Sequence, residues 1–193
     1  MTTTVPSAKG LLFKAQVRCE TTAPVAVLRA QLGDTPLALL VLFVTSQTDF
    51  SAVVKEAEQL YPDTDVVACT TAGEIGASGN DDGRRVAGGF PENDFASTSL
   101  AIADLDRFLA ETETDRIAQE RVALQDRSAD MQNGFAFLIV DGLSLREDTL
   151  TARISPALRD MPLFGASAGD GTAFQHTMVS LNGDIMLNGA VLN

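Results

Sequence analysis

The fold is decided by the stretch LALLVLFV, Leu37–Val44, which is apolar at every position instead of at alternate positions. A strand with this pattern is covered on both faces, as strands at the centre of a parallel or mixed sheet are. A second stretch of the same kind, FAFLIV, lies at Phe135–Val140. Together they predict an α/β fold with two central strands, one in each half of the chain.

Each central strand is followed by a helical stretch and then by an apolar segment that runs into small residues, glycine and a carboxylate. The first such segment is VVACTTAGE, Val66–Glu74, and the second is PLFGASAGD, Pro162–Asp170. The two superpose without a gap when Thr71 is aligned with Ser167. This match predicts a duplication within a single domain at residues 1–193. Its mixed sheets would be built from two similar β-α-β-β-β halves, at about residues 35–103 and 132–193.

Shorter segments complete the prediction. Further strands are expected at residues 11–17, 84–89, 95–103, 178–181 and 184–192, from short apolar or alternating runs. Helices are expected at 23–32 with the Thr22 hydroxyl as N-cap, from Asp49 or Ser51 to Leu60, at about 145–158 with Pro156 near its end, and within 105–131. Strands and helices therefore alternate along the chain, as an α/β fold requires.

Composition and charge exclude several classes of partner. The net charge is −12, and the chain has no Trp and a single Tyr. An acidic surface with few aromatic rings repels a phosphate backbone, so binding to nucleic acid or to anionic lipid is disfavoured. No apolar run approaches the roughly 20 residues that span a bilayer, so no membrane insertion is expected. The start of the chain lacks a secretory signal, and Cys19 and Cys69 form no disulfide framework, so we expect a cytoplasmic protein.

The two small-residue turns predict where a ligand binds, because open α/β sheets bind ligands beyond the carboxyl ends of their strands. Small residues let backbone N–H groups approach a ligand, and hydroxyls add hydrogen bonds. The candidate ligand-binding residues are Thr70, Thr71, Ala72, Gly73 and Glu74 from the first half, and Asp141, Gly142, Ser167, Ala168, Gly169 and Asp170 from the second. Glu74 and Asp170 could hold the ammonium group of an amino acid. The alternative is that they cap two structural turns that pack against each other.

Other chemistries find less support. The glycines after Glu74 do not have the spacing of a dinucleotide-binding loop, and no phosphate-binding lysine motif exists. His176 is the only histidine, which excludes a multi-histidine zinc site. It could still be the proximal ligand of a haem, and an exposed histidine is the alternative. An enzyme would use Cys69 or Asp141 as its reactive group, but Cys69 has no base near it in the sequence and is better explained as a buried apolar residue.

Three blocks of the sequence, two of which contain the small-residue turns described above, resemble the N-terminal region of the FIST sensory domain family and follow its order. VVACTTAGEI at residues 66–75 resembles the family's GCTTAGEI block, and LIVDGLS at 138–144 resembles its strand that ends in DG. LFGASAGD at 163–170 resembles its GGSAGD block. The chain departs at Ala68 and Ala166, where the family usually has Gly. The likeness covers about residues 10–193.

The resemblance implies a cytoplasmic signal-input domain, of a kind found in bacteria, archaea and some eukaryotic F-box proteins. It implies a small-molecule ligand, such as an amino acid, and a signalling partner such as a histidine kinase or a cyclase. We expect no cofactor. Some related proteins are haem-containing nitric-oxide sensors, so a haem b on His176 is the alternative. The family's C-terminal region would follow Asn193, and we expect this chain to have been cut from a longer protein. We therefore predict a bacterial sensory domain that is not an enzyme.

Overall fold

The computed structural model describes residues 11–76, 79–81, 83–108 and 110–193. Its strands are β1 (Phe13–Arg18), β2 (Leu37–Thr45), β3 (Asp65–Thr71), β4 (Glu74–Gly76), β5 (Gly79–Asp81), β6 (Arg84–Pro91), β7 (Leu100–Ile102), β8 (Ala136–Asp141), β9 (Leu163–Ala168), β10 (Val179–Leu181), β11 (Asp184–Met186) and β12 (Ala190–Leu192). Its helices are α1 (Pro24–Leu32), α2 (Phe50–Leu60), α3 (Ala110–Arg127) and α4 (Glu147–Leu158), with a 3₁₀ turn at Gly142–Ser144. Among the helices of these ranges, none is both long enough and apolar enough to cross a membrane.

The strands form two mixed sheets and a small hairpin. The first sheet has the order β1-β6-β2-β3-β10-β11, the second has the order β7-β12-β8-β9, and β4 pairs with β5. β2 is parallel to β3, and β8 is parallel to β9, while the neighbouring pairs are antiparallel. The prediction of an α/β fold with mixed sheets is confirmed.

The two sheets share a common strand order. β1-β6-β2-β3 and β7-β12-β8-β9 have the same order and the same relative directions. The membership differs from the halves that the sequence predicts: β7, expected at the end of the first half, belongs to the second sheet. β10 and β11, expected in the second half, extend the first sheet. The duplication itself stays a prediction.

Two helix layers enclose the two sheets. Leu40 and Leu42 of β2 pack in the core beneath α1 and α2, while Leu39 and Val41 pack in the core between the sheets. β8 alternates in the same way between the core beneath α3 and α4 and the space between the sheets. This four-layer arrangement explains why both central strands are apolar throughout. Burial of one leucine side chain contributes about 2 kcal/mol to stability. Apolar residues on both faces of β2 and β8 therefore stabilise the packing of each sheet against its helices and against the other sheet.

Some element boundaries differ from the predicted ones. The strand expected at 95–103 is confined to Leu100–Ile102, and the strand expected at 184–192 is divided into β11 and β12. Residues 105–131 contain one helix, α3, in the described part. Pro156 lies inside α4, which continues to Leu158.

The N-terminus of α1 is satisfied differently from the prediction. Ala23, not Thr22, is the N-cap, and it adopts a left-handed conformation (φ 47°) without a side-chain cap. The Glu56 carboxylate on α2 instead accepts a hydrogen bond from the Ala26 N–H at 3.0 Å. The predicted cap of α2 is confirmed, because the Asp49 side chain accepts from the Ala52 N–H at 3.1 Å.

Candidate functional site

The two small-residue turns meet between the sheets. The Gly169 N–H donates to the Thr70 carbonyl at 3.0 Å. A Cβ on Gly169 would lie 3.1 Å from the Ala72 Cβ and 3.3 Å from its nitrogen, so glycine is what lets the turns approach. The Thr70 hydroxyl also accepts from the Met178 N–H at 3.0 Å. The carboxyl ends of β3 and β9 and the start of β10 are therefore joined at one point.

In the first turn, the Glu74 carboxylate is buried and engaged by its own chain. One oxygen accepts the hydroxyl of Thr71, and the other accepts the N–H of Arg84 at 3.1 Å. Ala72 and Gly73 are exposed beside it. The carboxylate thus closes the turn onto the start of β6.

Asp141 is the corresponding carboxylate at the end of β8, and it is also buried. Its Oδ1 accepts from the Leu143 N–H at 2.9 Å and from the Thr177 hydroxyl, and its Oδ2 accepts from the Asn188 N–H at 2.6 Å. A Cβ on the next residue, Gly142, would overlap the Ala168 carbonyl oxygen. Asp141 therefore ties three loops together where β9 passes close to the backbone.

Asp170 holds the loop that follows β9. Its two carboxylate oxygens accept the N–H groups of Phe174 at 3.0 Å, Gln175 at 2.6 Å and His176 at 2.9 Å. These hydrogen bonds hold the pKa of Asp170 below its ordinary value, because they stabilise the ionised form. The bond from the His176 N–H has the largest effect, followed by that from Gln175. The carboxylate is thus used to shape the loop.

His176 lies in an open environment. Its side chain is exposed, Phe174 is 73% exposed, and Met178 packs into the core beneath α1 and α2. A haem needs an apolar enclosure around its axial ligand, and these three residues do not form one. In the described residues, no group of three or more His, Cys, Asp or Glu side chains is placed to hold a metal ion. The haem on His176 stays a prediction without structural support.

Cys69 is only 3% exposed and packs between the two sheets. Burial raises the pKa of its thiol to about 12. At neutral pH the thiol is therefore protonated, and it is not a nucleophile in this conformation.

Ser167 is the candidate residue that faces an open cleft. The cleft lies between β9 and α4 and has a volume of about 450 Å³. We call it the β9–α4 groove; it is lined by Leu138, Val140, Glu147, Thr151, Ser155, Leu163, Phe164, Gly165, Ala166 and Ser167. The helical wall was not predicted from the sequence, although Glu147, Thr151 and Ser155 follow each other at a four-residue spacing. That spacing was a usable signal, because it places all three on one face of a helix.

The head of the groove carries a positioned carboxylate. The Ser167 hydroxyl donates to Glu147 Oε1 at 2.9 Å. Glu147 lies in the first turn of α4, where the helix dipole stabilises a negative charge. Gly165 contributes no side chain to the groove, and a Cβ added to it would overlap the Leu138 carbonyl oxygen on β8. An edge strand with exposed backbone thus faces a fixed acid.

Comparison with known proteins identifies the family of this chain. No curated protein and no solved structure matches the chain. The family model of the FIST N domain matches residues 38–192, which include the central strands of both sheets, both turns and the β9–α4 groove. The chain therefore belongs to the FIST N-domain family, a family of sensory and signal-transduction domains.

Proposed function

We propose that this domain is a signal-input module that binds a small amine-bearing metabolite, an amino acid in the first instance, in the β9–α4 groove. The observation that supports the proposal is the open cleft of about 450 Å³ with the Glu147 carboxylate at its head. Among the described residues that line the groove, Glu147 alone carries a charged side chain. A cationic group is therefore favoured there over an anionic one.

The two walls suit the two ends of an amino acid. The Glu147 carboxylate, oriented by Ser167, can accept hydrogen bonds from an ammonium group. On the opposite wall, Gly165 and Ala166 are exposed and small, so side chains do not shield those backbone N–H groups of β9 that point away from β8. Recognition would then depend on both charged ends of the ligand.

The other predicted site residues have a supporting role in this proposal. Glu74, Asp141 and Asp170 already accept hydrogen bonds from the chain, so we assign them to the positioning of the turns. Ser167 is two residues from Gly169, whose N–H is bonded to Thr70 in the first sheet. Occupation of the groove would thus be transmitted from the second sheet to the first. A cytoplasmic signalling partner, such as a histidine kinase or a cyclase, would read that change.

The test is a thermal-shift and calorimetric screen of the twenty amino acids against the purified chain. At a ligand concentration of about 100 times Kd, binding to the native state adds about 2.7 kcal/mol of stability. Glu147→Gln should abolish the shift. Asp148→Asn is the matched control, because it removes an exposed carboxylate from the same helical turn but does not line the groove.

Two results would count against this proposal. If none of the twenty amino acids stabilises a folded sample, the ligand class is wrong. If Glu147→Gln and Asp148→Asn weaken binding equally, the ligand does not bind in the groove.

A further inference from the structure

We infer that the natural occupant of the β9–α4 groove is an extended peptide segment with a lysine or arginine side chain, added as a fifth strand to the second sheet. This rests on the proposed function, a groove that binds the cationic group of an amino acid at Glu147, and it deepens that function: the amino acid is a residue within a peptide chain.

The outer edge of β9 is open to a further strand. β9 is the last strand of the second sheet, and within the described residues it pairs with β8 alone. Successive residues of a strand direct their N–H and C=O groups to opposite sides, so every second residue of β9 presents a donor and an acceptor away from β8. The four residues from Phe164 to Ser167 are exposed.

From Leu163 to Ala168 this edge lacks three of the features that usually protect one. Natural edge strands are blocked by lysine, proline or bulges. The sequence from Leu163 to Ala168 contains neither lysine nor proline, and its pairing with Ala136–Asp141 is continuous, without a register shift. Recognition by strand addition uses an edge of this kind.

The groove has the length of several peptide residues. The four exposed residues of β9 extend over about 13 Å, at about 3.3 Å per residue. The helical wall from Glu147 to Ser155 extends over about 12 Å, at 1.5 Å per residue. One amino acid would occupy about a quarter of this length, and an extended chain of five residues, whose first and last Cα atoms lie about 13 Å apart, would fill it.

The periodicity of the helical wall matches that of a strand. Glu147, Thr151 and Ser155 are spaced by about 6 Å along α4. Side chains on one face of an extended chain repeat every two residues, at about 6.7 Å. Each of the three polar side chains can therefore meet one of three alternate side chains of the peptide.

Charge decides between a cationic peptide and a second copy of this chain. A second β9 would bring another net charge of −12 and a second Glu147 to the groove. Like charges across an interface repel each other, whereas a lysine or arginine beside Glu147 forms a charge-assisted hydrogen bond. The peptide residue beside Ser167 is thus the cationic one.

The experiment is selection of random hexapeptides displayed on phage against the wild-type chain, followed by calorimetry with the enriched sequence as a synthetic peptide. We expect enrichment of sequences with one lysine or arginine at a fixed position. Glu147→Gln should weaken binding at least tenfold, and Asp148→Asn should leave it unchanged. Thr151→Arg, on the exposed wall, should block the groove without affecting the fold. N-methylation of alternate peptide bonds in the ligand should abolish binding, while methylation of the intervening ones should not.

Each other outcome overturns the inference. These outcomes are no enriched sequence, an enriched peptide indifferent to Glu147→Gln or to N-methylation, or dimerisation of the chain that Thr151→Arg abolishes. If free amino acids bind and no peptide does, the proposed function stands and the peptide is excluded. If neither binds, the proposed function fails as well.

Discussion

Replacement of Asp141 tests how the carboxyl ends of the strands are held together. The residue is 5% exposed, and it accepts from the N–H groups of Leu143 and Asn188 and from the Thr177 hydroxyl. Asp141→Ala leaves these three donors without their acceptor. A buried donor without a partner costs about 1–3 kcal/mol, and water that enters the vacated space recovers part of this. We therefore expect a loss of about 3–5 kcal/mol, against a total stability of about 5–15 kcal/mol for a domain.

The assay is urea unfolding followed by far-ultraviolet circular dichroism, with the free energy of unfolding obtained by linear extrapolation. Asp141→Asn keeps one oxygen for Leu143 and Thr177 but places an amide N–H₂ against the Asn188 N–H, so we expect a smaller loss of about 1–3 kcal/mol. The exposed Asp148→Asn serves as control and should stay within about 0.5 kcal/mol of wild type.

A loss below about 1 kcal/mol for Asp141→Ala would refute the reasoning, since it would mean that the three donors find other partners at little cost. Loss of ligand binding in Asp141→Asn with unchanged stability would also refute it. That result would return Asp141 to the ligand-binding role that the sequence predicts.

Three further predictions follow from the same structure. Gly165→Ala should destabilise the chain by about 1–3 kcal/mol in urea unfolding, because its Cβ would overlap the Leu138 carbonyl oxygen; Gly88→Ala, where nothing lies within 4 Å of the added Cβ, should be nearly neutral. In a Cys19→Ser background, Cys69 should react with a thiol reagent at pH 8 only after addition of urea, because burial raises its pKa to about 12; rapid labelling of the native chain would contradict this burial. The stability difference between wild type and Asp170→Asn should be present above the ordinary aspartate pKa and disappear as pH falls through the lowered pKa of the native state; a difference that grows in acid would have the wrong sign.

The central strands could be predicted because their signal is local. Continuous burial on both faces leaves a continuous apolar run, so Leu37–Val44 alone indicates a covered strand. The residues of a short strand do not indicate to which sheet that strand belongs. β7 and β10 each have three residues, and the strands that fix their sheets, β12 for β7 and β3 for β10, lie far along the chain. Their placement depends on the packing of the whole domain.

The candidate site also has features that could be predicted from the sequence and features that could not. The turns could be predicted, since small residues and glycine mark a close approach of backbone, and Gly169 does lie against Ala72. The partners of the carboxylates could not be predicted, because Asp141 bonds with Thr177 and Asn188 only after the chain has folded. The groove needs both β9 and α4 in place. Glu147 and Ser167, 20 residues apart, gave no joint signal in the sequence.

The shared strand order has a consequence for biosynthesis. In both sheets, the last strand of the four inserts between the first and the second, so β6 separates β1 from β2 and β12 separates β7 from β8. On the ribosome, β1 gains its neighbour in the sheet once Pro91 has emerged, while β7 must wait until Leu192 has been made. The first unit can thus close early and offer its exposed β3 edge as a template. The β10–β11 hairpin can dock there while the second sheet still lacks β12.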